Sequence, residues 1–203
     1  DAIDKDGWLH SGDKGCMGVN GMVKITGRYK HLLIGAGGEN VAPIPIENEV
    51  KKQCPAISNC MMIGDKKPFM AAFVTLKAKG ATGNEPGGDD LDEEALSVDS
   101  SVTKISEAVQ SEKYKKYIVD CIIKANKEAA PNNASTIKKI CILPRDFSVA
   151  TNELTPTLKL KRGVVVKMNQ AAVDAIYNAP KNMTVVPYPI TLSEKDSEPS
   201  KEE

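Results

Sequence analysis

The sequence predicts an α+β protein: a small domain with a short, mostly antiparallel sheet packed by helices, preceded by a β-rich remnant of a larger domain lying upstream. Three observations carry this prediction. Short apolar runs over 57–63 and 69–76, bounded by Gly, Asp and Pro, have the length and punctuation of strands. Apolar residues recur at three- and four-residue spacing from Ile46 to Cys54, from Tyr114 to Ala125 and from Val164 to Ile176, the signature of helices with one buried face. Hydrophobic residues make up 41% of the 203 residues, enough for a core, and aromatics only 4%, which leaves the packing to aliphatic side chains.

The elements follow in order. Residues 1–27 are short strands and turns punctuated by Gly7, Gly12, Gly15, Gly18 and Gly21, with a strand over 22–26. This stretch cannot bury a core of its own and is assigned to the upstream domain. A short apolar strand over 31–34 runs into Gly35-Ala36-Gly37-Gly38, where the backbone can adopt positive φ or approach a ligand closely. A helix begins near Pro45, a residue suited to the first helical turn. The runs 57–63 and 69–76, joined by Gly64-Asp65-Lys66-Lys67-Pro68, predict an antiparallel hairpin. Residues 79–101 are rich in Gly, Asp, Glu and Ser and are expected to be a flexible acidic insertion. A helix follows from Ser111 to before Pro131, then a buried strand over 140–143 and a last amphipathic helix. The division expected is 1–29 for the upstream remnant, 30–178 for the small domain, and 179–203 for a largely disordered tail.

Charge is balanced, with 27 Lys+Arg against 27 Asp+Glu, so no global field argues for nucleic acid or an anionic membrane. The five cysteines include no C-x-x-C pair; they are expected to be reduced, buried thiols rather than a disulfide framework or a metal site. No apolar run approaches the roughly 20 residues of a membrane span, and no signal peptide is expected. The chain opens without Met inside a turn-rich stretch, so Asp1 is expected to be a cut rather than a biological start.

Three constellations carry chemistry. Asp13 follows Ser11-Gly12 on a tight turn, where its carboxylate can accept both hydrogen bonds of a ribose diol. Arg28, in Gly27-Arg28-Tyr29-Lys30, offers a rigid donor fork for hydroxyl or phosphate oxygens. Lys159, in Leu154-Thr155-Pro156-Thr157-Leu158-Lys159-Leu160-Lys161-Arg162, stands on a loop before the last helix, from which a lysine can reach phosphate oxygens of another domain. Singly, each also reads as a turn carboxylate or a solvated cation. The Gly35–Asn40 run lacks the third glycine and the βαβ setting of a dinucleotide fingerprint.

In order along the chain, Asp6-Gly7-Trp8-Leu9-His10-Ser11-Gly12-Asp13, Gly27-Arg28-x-Lys30, Gly37-Gly38-Glu39-Asn40-Val41-x-Pro43, Ile46-Glu47 and the Leu154–Arg162 string resemble the acyl-adenylate-forming superfamily. The Gly-Gly-Glu-Asn-Val run, Ile57-Ser58-Asn59, Ile63-Gly64-Asp65 and the last string look most similar to the bubblegum group of long- and very-long-chain fatty acyl-CoA synthetases. The resemblance spans about residues 1–177. It implies a C-terminal lid domain and an enzyme that joins a fatty acid to ATP, then passes the acyl group to CoA, with Mg²⁺ ligands, phosphate loop and acyl tunnel all upstream. It implies that Asp13 and Arg28 bind the nucleotide ribose and that Lys30 is the hinge. By the same resemblance Gly37 and Gly38 lie on the lid face that meets CoA, and Lys159 is the catalytic lysine of adenylation. Many relatives carry Gly before that lysine; here Leu158 stands there. The fragment alone is expected to be inactive. Its partners would be fatty acid, ATP, CoA and its own N-terminal domain, in a cytoplasmic protein for which peripheral attachment to an intracellular membrane stays open. The alternatives are a luciferase-like or carrier-protein-loading enzyme, which keeps adenylation and changes the acceptor, and a stand-alone binding module without catalysis.

Overall fold

In the computed structural model, residues 3–28 and 32–189 are described. Strands β1 (Asp13–Met17) and β2 (Val23–Arg28) form an antiparallel hairpin in which Asp13 pairs with Arg28 and Met17 with Val23. A bulge at Lys14/Gly15 breaks the register. This hairpin leaves its apolar side chains in solvent: Met17, Val19, Met22, Val23 and Ile25 are all exposed. It is a β-rich piece without a core, in keeping with the sequence.

The small domain is built on a three-stranded sheet of order β5-β6-β7. Strands β5 (Ile57–Ile63) and β6 (Met70–Leu76) form the predicted antiparallel hairpin, while β7 (Ile137–Ile142) joins β6 in parallel. All seven residues of β6 are buried. A central strand covered on both faces has no need of alternation, which is why its sequence is a continuous apolar run. Side chains from successive residues enter two separate cores. Met62, Ala72, Val74 and Ile140 pack with helix α1 (Pro43–Gln53) and helix α4 (Glu112–Ala129). Met61, Ala71, Phe73 and Cys141 pack with helices α5 (Arg162–Met168) and α6 (Gln170–Asn178). The sheet is therefore the middle of three layers, with helices on both sides.

Helix α1 opens with a proline in its first turn and buries Ile46, Glu47 and Val50. Helix α4 is capped by Ser111, whose Oγ accepts from the Tyr114 N–H, and it buries Tyr114, Ile118, Cys121, Ile122 and Ala125. Each large apolar side chain there contributes roughly 1.5–3 kcal/mol of burial. Before α1, a two-residue ribbon of β3 (Leu33–Ile34) and β4 (Asn40–Val41) is closed by the Gly35–Gly38 turn.

Three features differ from the sequence expectations. Residues 79–101, expected to be flexible, are folded: Leu91 and Ala95 are buried anchors, helix α2 (Glu93–Leu96) is capped by Asp92, and the Tyr114 hydroxyl donates to the Ala95 carbonyl at 2.6 Å. Another short helix, α3 (Ile105–Ala108), follows. The last helix is two: Asn169 interrupts it, its Nδ2 donating to the Val165 carbonyl at 2.9 Å and its Oδ1 accepting from the Tyr188 hydroxyl. Part of the tail is also folded. The Ile140 N–H donates to the Thr184 carbonyl and the Val186 N–H to the Ile140 carbonyl, both at 2.8 Å, so residues 184–186 extend the sheet beyond β7.

Candidate functional site

Lys159 lies on a tight loop between Leu154 and Leu160, which form an antiparallel bridge. Within it the Thr155 N–H donates to the Lys159 carbonyl and the Leu158 N–H to the Thr155 carbonyl, both at 2.8 Å. The Lys159 N–H donates to Thr155 Oγ1 at 3.0 Å. The turn closes by placing Leu158 at φ 57°, a left-handed conformation that costs a non-glycine residue on the order of 1 kcal/mol or more.

The loop is anchored at its C-terminal end by an ion pair. Arg162 donates through Nη1 to Glu47 Oε1 at 2.7 Å, and through Nη2 to Glu47 Oε2. Glu47 is buried, and its Oε1 also accepts from the Met62 N–H at 2.7 Å. One carboxylate thus ties the first helix, the β5 strand and the start of α5 together. At the other end stands Asp146, buried, accepting at Oδ1 from Asn59, Thr75 Oγ1 and the Phe147 N–H and at Oδ2 from Ser58 Oγ. Next to it Glu153, also buried, takes a two-point contact from Arg145 and a hydrogen bond from Thr151. Each of these carboxylates accepts three or four hydrogen bonds, which fits fixed supports of the loop.

Asp13 and Lys159 line one cleft of about 760 Å³ between the hairpin and the small domain. Ile44, Pro45, Lys51 and Leu160 line it too. Cys60 also borders this cleft, and burial, reinforced by the Glu47 charge, pushes its thiol well above the ordinary range. It remains protonated at neutral pH and is not a nucleophile. Arg28 pairs through its backbone with Asp13. Lys30 lies outside the described residues. Gly37 and Gly38 occupy the β3–β4 turn, where the Gly38 N–H donates to the Gly35 carbonyl at 2.9 Å and Gly38 has φ 84°. Gly37 opens onto a different cleft, of about 230 Å³, shared with Lys67, Phe69 and Lys138. The structure thus groups Asp13 with Lys159 and sets Gly37 apart. Among the described residues there is no group of three or more His, Cys, Asp or Glu that could hold a metal ion.

The family described as AMP-binding enzyme C-terminal domain matches residues 30–111. Long-chain-fatty-acid–CoA ligase ACSBG2 of Gallus gallus is 47% identical over 183 residues, a match covering 87% of this chain and 24% of that protein. The chain belongs to the acyl-adenylate-forming superfamily, in the C-terminal domain of its bubblegum-type members. Long-chain-fatty-acid–CoA ligase ACSBG1 of Homo sapiens is 41% identical over 187 residues, covering 89% of this chain and 26% of that protein. The chain thus spans about a quarter of the length of the curated relatives it matches. Among solved structures, the A domain of carboxylic acid reductase from Segniliparus rugosus, in complex with AMP and a co-purified carboxylic acid, superposes with a TM-score of 0.65 at 18% identity. That match covers 86% of this chain and 24% of that one, and at this identity the likeness is one of fold.

Sequence reasoning named the Leu154–Arg162 string and Ile46-Glu47 as motifs but missed that Arg162 and Glu47 are partners. It also missed Asp146, whose isolated position in the sequence carries no signal. Its partners Ser58 and Asn59 do lie in a run that the resemblance singled out.

Proposed function

We propose that the whole protein, of which this chain is the C-terminal part, activates a long-chain fatty acid with ATP and then transfers the acyl group to CoA. The observation that carries the reading is the shared cleft of Asp13 and Lys159, with Gly37 on another face. In the first half-reaction the fatty carboxylate attacks the α-phosphorus of ATP and pyrophosphate leaves. Asp13 and Arg28 hold the ribose, and the Lys159 ammonium offsets the charge developing on the carboxylate and α-phosphate oxygens. In the second, the CoA thiol attacks the acyl carbonyl and AMP leaves. Rotation of the lid about Lys30 would then withdraw Lys159 and bring Gly37 and Gly38 to the pantetheine arm, their lack of side chains leaving it room. The fold shared with a reductase domain that holds AMP, and the identity with two long-chain-fatty-acid–CoA ligases, support the same reading.

The test is Lys159→Ala in the full-length protein, with the half-reactions assayed separately. Pyrophosphate release should fall by about 100-fold or more, as when one preorganised charge is removed from a transition state. CoA transfer from supplied acyl-AMP should stay near the wild-type rate. Equal loss of both steps would refute the assignment of Lys159 to adenylation.

A further inference from the structure

The 79–101 segment is joined to the loop that carries Lys159. The Val149 N–H donates to the Gly83 carbonyl at 2.9 Å and the Ala150 N–H to the Asn84 carbonyl at 3.0 Å, a two-rung ladder leading into Glu153. Beyond it, the Leu158 side chain fills the space that a side chain on Gly83 would need. A Cβ on Gly83 would stand 3.0 Å from Leu158 Cδ2 and 3.3 Å from Cδ1. Gly83 itself has φ 79°, so it is suited to glycine on two independent counts.

Leu158 is a poor choice for its own backbone. At φ 57° glycine or asparagine would be less strained, and the side chain is half exposed (51%). A leucine at such a position needs a compensating contact, and the seat on Gly83 provides one. The turn it stabilises holds the Lys159 N–H on Thr155 Oγ1 and the Lys159 carbonyl on the Thr155 N–H.

We propose that the 79–101 insertion is a positioning element for Lys159: Gly83 receives Leu158, and this contact holds the 155–159 turn in the conformation that keeps Lys159 at the cleft shared with Asp13. Gly83 and Leu158 are positioning residues, acting through Lys159. Because the insertion belongs to the same domain as the loop, it travels with Lys159 through any lid rotation. The proposal rests on the adenylating role given to Lys159 above.

The experiment is a double-mutant cycle in the full-length protein with Leu158→Gly, which relieves the backbone and removes the side chain, and Gly83→Ala, which displaces it from the far side. Each single variant should slow acyl-AMP formation by about 10- to 100-fold, the scale of a small misplacement of a catalytic group. Transfer from supplied acyl-AMP should remain within about twofold of wild type, and the double variant should lose no more than the worse single one. Losses that multiply, losses shared equally by both half-reactions, or undiminished adenylation in Gly83→Ala would overturn the proposal. Amide hydrogen exchange on the 203-residue chain supplies a second readout. Gly83→Ala should raise exchange at Leu158 and Lys159 by about 10-fold although it lies far away in sequence. Unchanged exchange there would also overturn the seat. A full-length wild type that forms no acyl-AMP would refute the functional reading alone, since the exchange measurement needs no activity.

Discussion

Glu47 shows how much a single side chain carries in this domain. Its two oxygens, buried, serve the half-buried Arg162 and the buried Met62 N–H, so truncation leaves both a cation and a backbone donor uncompensated. Glu47→Ala should therefore destabilise the chain by about 3–5 kcal/mol in urea unfolding. Glu47→Gln keeps an acceptor for Met62 and should cost clearly less, about 1–3 kcal/mol. Equal costs for the two would mean that the charge on Glu47 contributes nothing beyond its hydrogen bonds. The residue also bears on chemistry, since Arg162 is the near anchor of the Lys159 loop. Asp146 anchors the far side through four donors from three segments. Lys159 is exposed, yet the carboxylates that fix its loop are among the most buried polar residues of the described chain.

At the scale of elements, the central sheet couples stability to pH through its thiols. Cys60 on β5 and Cys141 on β7 are both buried, and burial pushes Cys141 up to about 12 and Cys60 higher still. Unfolded thiols titrate near about 8.5. Above that pH the unfolded chain loses protons that the folded chain keeps, so unfolding free energy falls as pH rises, by about 1.4 kcal/mol per pH unit for each such thiol. The stabilisation is complete below the unfolded value and is lost on the way to the folded one. Cys141→Ala should lower stability at neutral pH and flatten the alkaline slope by about 1.4 kcal/mol per unit. An unchanged slope would show that Cys141 ionises within the fold. The elements around this sheet were legible in the sequence to different degrees. Helices α1 and α4 and the β5–β6 hairpin were plain, because their periodicity or punctuation is local. Strand β7 begins three residues before its predicted start, at Ile137, since Lys139 can be buried there only by donating to the Ala179 and Pro180 carbonyls at 2.6 and 2.8 Å. The break at Asn169 likewise depends on Tyr188 from the tail. Motif order singled out Asp13, Gly37 and Lys159, and the structure sets the first and last on one cleft and Gly37 on another. The seat of Leu158 on Gly83 was not legible, because it joins segments 75 residues apart that look polar and unstructured on their own.

For the molecule as a whole, the chain divides into a packed domain and a strand pair without a core. Residues 3–28 expose Ile3, Trp8, Leu9, Met17 and Val19, a density of apolar surface suited to burial against further protein. The small domain buries its own large side chains in two cores that include none of these residues. The two parts should therefore lose structure independently. Trp8 is the only tryptophan and is 73% exposed, which makes it a reporter confined to the strand pair. In urea, far-UV circular dichroism should show one cooperative transition for the small domain while tryptophan emission, already that of a solvated indole, stays flat through it. Coincident transitions by both probes are the mark of a single cooperative unit and would contradict the division. Removing residues 1–29 should then change the circular-dichroism midpoint little, by less than about 0.5 kcal/mol in free energy, as expected for surface changes away from a core. The same deletion should reduce self-association, because it takes away the exposed apolar side chains of that segment. For the full-length protein the proposed function implies the opposite: Trp8 emission should shift to the blue and change together with the unfolding of the domain proposed upstream, because on that proposal the strand pair carrying Asp13 is packed against it.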